Sequence, residues 1–91
     1  MEKILVKQKE ERDDGWIFDV EIKGMGYKVT VPKEYWEKVT QKSVEPEELV
    51  RRSFEFLLAR EPKESILREF ELPVIQKYFP EYETQITYQQ T

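Results

Sequence analysis

The chain predicts an α+β fold: a three-stranded antiparallel β-meander packed on one long helix, with short C-terminal helices. Three observations predict it. Trp16, Phe18, Val20 and Ile22 alternate with Ile17, Asp19 and Glu21, the period of two expected of a strand with one buried face. Tyr27, Val29 and Val31 repeat the pattern after Lys23-Gly24-Met25-Gly26, a stretch whose glycines suit a turn. Glu45 to Arg60, EPEELVRRSFEFLLAR, then carries the longest helical repeat. Leu49, Ser53 and Phe56 fall on one line and Val50, Phe54, Leu57 and Leu58 on the next, a stripe wide enough to need a sheet over it.

Taken in order, residues 3–31 form the meander. The first strand spans residues 3–9, with Ile4 and Val6 on one face and Leu5 on the other. Glu10 to Gly15 is a polar turn, and Asp14-Gly15 is a hairpin signal. Pairing Ile4 with Ile22 and Val6 with Val20 keeps one apolar face. Pairing Ile22 with Tyr27, Val20 with Val29 and Phe18 with Val31 keeps the same face across a four-residue turn. Residues 32–40 predict a short helix in which Tyr35, Trp36 and Val39 close one end of the sheet. The main helix spans 45–60. Pro46 suits its first position, Val44 and Leu49 are spaced as a hydrophobic staple, and Glu47 and Glu48 precede Arg51 and Arg52 by four residues. Short helices are expected over 62–80, with Ile66, Leu67 and Phe70 facing inward, then Val74, Ile75, Tyr78 and Phe79 beyond the Leu72-Pro73 break. Residues 84–91 read as a frayed tail. The whole is expected to be one small domain.

Composition narrows the chemistry. The net charge is −4, which disfavours nucleic acid as a partner, since such binding rests largely on excess Lys and Arg. With no cysteine and no histidine, the common zinc sites and the usual nucleophile–base pairs are missing. Serines 43, 53 and 65 have no activating histidine. Ser53, on the inner face of the main helix, reads as a small packing residue bonded to the carbonyl one turn back. Glu61, Glu64, Glu69 and Glu71 are interleaved with Arg60, Lys63 and Arg68 and read as a solvated ion-pair face, with Glu64–Arg68 as one pair. Gly24 and Gly26 lead into a strand rather than a helix, so they are no phosphate loop. No run suits a signal peptide or a membrane span, and a cytoplasmic location is expected. The expectation is a non-enzyme with no cofactor and no metal. Leu5 and Ile17, on the outer face, form a small patch open to self-association into a homo-oligomer or to a partner.

Two resemblances add to this. FEFLLAREPKESILREFELPVIQKYFPEYE, residues 54–83, resembles the C-terminal helical segment of a group of small uncharacterised prokaryotic proteins, which implies a prokaryotic, cytoplasmic origin. The β-β-β-α order, with Asp14-Gly15 between strands and Glu45 to Arg60 as the helix, is similar to HicB-type antitoxins. That family joins a partial RNase-H-like domain to a DNA-binding segment and neutralises a small RNase toxin. Val31-Pro32-Lys33-Glu34 stands where the family has a Gly-Cys strand end, and no site residue is carried over. The function expected is a small non-catalytic protein-interaction or regulatory module, with Tyr78, Phe79 and Tyr82 as the partner-binding residues. The alternative is a DNA-binding or antitoxin-like regulator that uses residues 64–80 as a helix-turn-helix-like unit.

Overall fold

The computed structural model describes residues 3–88. Strands β1 (Ile4–Arg12), β2 (Gly15–Ile22) and β3 (Met25–Pro32) form the antiparallel meander. Helices α1 (Lys33–Thr40) and α2 (Pro46–Leu58) follow. A 3-10 turn (Lys63–Ser65) leads into a fourth strand, β4 (Glu69–Glu71), and helices α3 (Val74–Tyr78) and α4 (Tyr82–Tyr88) end the described chain. The sheet has the order β1-β2-β3-β4. It is mixed, because β4 runs parallel to β3.

The meander forms where the alternation places it, with differences in its turns. Ile4 pairs with Ile22 and Val6 with Val20, as the pattern requires. Beyond Gln8 a bulge at Lys9 resets the ladder, and β1 continues to Arg12, past the expected end at residue 9. The first turn is therefore Asp13-Asp14, and Gly15 belongs to β2. An added Cβ at Gly15 would lie 2.2 Å from the Val31 carbonyl oxygen, so only glycine lets β3 approach that closely. In the second hairpin the pairs are Ile22–Met25, Val20–Tyr27, Phe18–Val29 and Trp16–Val31, two residues from the expected register. Lys23 and Gly24 close it as a two-residue turn with φ of 47° and 84°. A two-residue slip keeps every side chain on its face, so apolar pattern alone cannot choose between these registers.

Helix α2 covers the apolar face. Phe18, Val20, Ile22, Val29 and Val31 from the sheet share one core cluster with Leu49, Val50, Phe54 and Leu57. The Tyr27 ring meets Phe54 edge-on at 5.3 Å, and Phe54 lies 6.0 Å from Phe70. Each such fully buried side chain contributes about 1.5–3 kcal/mol. On the outer side of α2, Glu48 bonds Arg52 at 2.8 Å and also Arg51, which reaches Glu55 at 2.8 Å. At the sheet's end, the Trp16 and Trp36 rings meet edge-on at 5.4 Å, and the Trp36 indole N–H donates to the Val44 carbonyl.

After α2 the chain departs from the expected run of helices. Residues 66–68 are non-helical and lead into the strand at 69–71. Phe70 and Leu72 point into the core while Glu69 and Glu71 are exposed. The backbone N–H of Lys28 donates to the Arg68 carbonyl and that of Leu72 to the Thr30 carbonyl, which stitches β4 to β3. The expected Glu64–Arg68 pair is absent among the described residues. Glu64 meets Lys63 at 3.3 Å, and the Arg68 side chain donates to the Gly26 carbonyl. Residues 84–88, expected to lie in a frayed tail, belong instead to helix α4, whose Ile86 is fully buried in the core; residues 89–91 of that tail lie outside the described chain. Ile17 is buried rather than part of an outer patch, because it sits on a central strand, flanked on its own face by Glu10 and Thr30. Leu5, on an edge strand, remains half exposed.

Candidate functional site

The site lies where the chain doubles back after α2. The backbone N–H groups of Arg60 and Glu61 both donate to the Leu57 carbonyl, which closes the helix, and Pro62 turns the chain outward. The Tyr27 hydroxyl donates to the Lys63 carbonyl at 2.7 Å and holds the 3-10 turn against β3. Leu72-Pro73 then turns the chain again into α3. Between these elements lies an open groove of about 390 Å³. Leu57 and Glu61 line it from the end of α2, Ile66 and Leu67 from the turn, Phe70 from β4, and Val74, Ile75, Tyr78 and Phe79 from α3.

The groove is mostly apolar. Glu61 is its one charged lining residue and Ser65 its one hydroxyl besides Tyr78. Two of its side chains are unusually exposed for their type: Leu67 at 50% and Tyr78 at 68%. Isolated exposed leucines are ordinary, but two large apolar side chains bordering one concave surface are not.

The three residues singled out from sequence part company here. Tyr78 stands at the surface, and Phe79 is half buried with its ring edge-on to Phe56 at 5.8 Å. Tyr82 is fully buried and belongs to the core. Its ring meets Phe56 at 5.2 Å, and its hydroxyl lies 2.5 Å from Ser53 Oγ. Ser53 gives its single proton to the Leu49 carbonyl at 2.7 Å, as its position on the inner face suggests, so Tyr82 donates to Ser53. Burial pushes the Tyr82 phenol well above the usual tyrosine range, partly offset by the Ser53 bond. Burial likewise raises the Tyr35 phenol, helped by the nearby Tyr82 and by its hydrogen bond to Glu83. Both groups stay neutral and structural.

Of the groove's lining, a partner-binding list from sequence holds only Tyr78 and Phe79 and misses the rest, exposed Leu67 above all. A helical reading of residues 63–70 turns Ile66 and Leu67 inward together. In the extended chain these neighbours diverge, leaving Ile66 buried and Leu67 exposed. The helix pair needed for a helix-turn-helix over 64–80 is not formed, since β4 occupies its first half and α3 has five residues. Among the described residues no group of three or more acidic, cysteine or histidine side chains is placed to hold a metal ion. No described helix is long and apolar enough to cross a membrane.

No protein-family model, curated protein or solved structure matches the chain.

Proposed function

We propose that this protein is a small non-catalytic interaction or regulatory module that takes a protein partner in the groove between the end of α2, β4 and α3. The observation that carries the reading is that exposed Leu67 and Tyr78 both line one apolar concavity. Burying such side chains at a partner's surface supplies the central anchor of a typical interface, and Tyr is among the residues that most often dominate one. Glu61 at the wall gives the surface a direction, because a partner side chain meeting it is favoured when basic. A DNA-reading role has less support. α3 is short, and it is flanked in sequence by Glu71 and Glu81, carboxylates that phosphates would repel.

The test compares capture by the wild-type protein with capture by the Leu67→Asp, Tyr78→Ala double variant. Both side chains are half exposed or more, so the variant is expected to keep its fold and lose its partner. Equal capture by both forms overturns the groove as the binding surface.

A further inference from the structure

We infer that the groove takes its partner as an added β-strand: an extended segment, alternately apolar and basic, that pairs with the free edge of β4. This rests on the groove as the interaction surface and names what would fill it.

The backbone supplies the first argument. Along β4 the groups that face β3 are fixed by two bonds, Lys28 N–H to Arg68 carbonyl and Leu72 N–H to Thr30 carbonyl. The pleat alternates, so Phe70 also faces β3, and the N–H and C=O groups of Glu69 and Glu71 point the other way. The sheet ends at β4, and no backbone bond within the described residues takes up those groups. They form a short ladder edge of the kind that strand addition completes.

The side chains supply the second. Phe70 points to the core face and lines the groove, so edge and groove are continuous through one residue. A strand laid along β4 would send its core-side residues into the groove, beside Phe70, Leu67 and Ile66. Those residues must be apolar. Its opposite residues would lie beside Glu69 and Glu71 on the outer face. Glu69 has Lys28 as its ladder neighbour on the β3 side and nothing on the other; Glu71 has only Thr30. Neither of these carboxylates, nor Glu61, has an ion pair among the described residues. Lysine or arginine at the outward positions matches them, and acidic residues would be repelled.

The test uses capped synthetic peptides and the full chain, with backbone amide NMR as the readout. A peptide alternating valine and lysine is expected to shift and slow the exchange of the Glu69 and Glu71 amides, with shifts at Leu67 and Tyr78. The valine–glutamate counterpart should bind about tenfold more weakly, and E69K/E71K should reverse that order. N-methylation at alternate peptide residues, which removes the pairing donors, should abolish the protection. Shifts at Leu67 and Tyr78 without protection at Glu69 and Glu71, or a helical bound peptide, leave the groove as the surface and overturn strand addition. Equal binding of both peptides overturns the basic partner. Concentration-dependent shifts of the same residues without peptide would mean that a second copy covers the groove, and also overturn the inference.

Discussion

Tyr82 decides whether the last helix is part of the folded core. It is fully buried, its ring packs on Phe56, and its hydroxyl donates to Ser53 at 2.5 Å. Tyr82→Phe removes one hydroxyl while Ser53 keeps its bond to Leu49, so no donor is left unsatisfied. The expected cost is about 1 kcal/mol. Tyr82→Ala also opens a cavity between α2 and α4, and the cost rises to about 4 kcal/mol. A chain of this size has roughly 5–14 kcal/mol of stability in total, so the alanine variant should be visibly crippled and the phenylalanine variant not. Urea unfolding followed by the fluorescence of Trp16 and Trp36 measures both, and Ser53→Ala in a double-mutant cycle with Tyr82→Phe isolates the hydrogen bond. Alkaline pH gives a second check. The folded phenol titrates above the unfolded value of about 10, so its contribution is complete below pH 10 and is lost as the pH rises past that point. Tyr82→Phe should therefore flatten the alkaline limb, leaving the part due to Tyr35. An alanine variant within about 1 kcal/mol of wild type would refute this reasoning, return Tyr82 to the surface and make residues 82–88 a loose tail.

Two further outcomes test the frame around the site. Gly15→Ala should destabilise by about 2 kcal/mol or more in the same urea assay, because the new methyl group meets the Val31 carbonyl oxygen at 2.2 Å and the strands must part. At Glu48, partial burial pushes the carboxyl upward, but hydrogen bonds from Arg52 and Arg51 outweigh it and hold the group below the usual range. That contribution is present above the unfolded value of about 4.3 and lost as pH falls, so Glu48→Gln should cost under about 1 kcal/mol at pH 7 and nothing near pH 2.

The meander and the main helix were legible because each rests on a local repeat. Trp16 to Ile22 and Leu49 to Leu58 bury the faces their periods predict, apart from Ile17. The second hairpin was legible only to within two residues, since Lys23-Gly24 and Lys23-Gly24-Met25-Gly26 give the same face. Phe70 and Leu72 alternating with Glu69 and Glu71 carry a strand signal, but over too few residues to stand against the helical spacing of Ile66, Leu67 and Phe70. What makes β4 a strand is Lys28 and Thr30 of β3, far away in sequence. The candidate site was missed in part for the same reason. Its aromatic content drew notice to Tyr78, Phe79 and Tyr82, but which ring stays outside depends on how α3 and α4 are hung from Phe56 and Ser53.

The parallel placement of β4 also sets an order of assembly. The meander can zip up between neighbours in the chain, but β4 must wait until α1 and α2 have been made and have crossed back beneath the sheet. With only three residues in its ladder, it should be the last strand to dock and the first to lift away, so the groove's supporting wall is expected to open before the meander does.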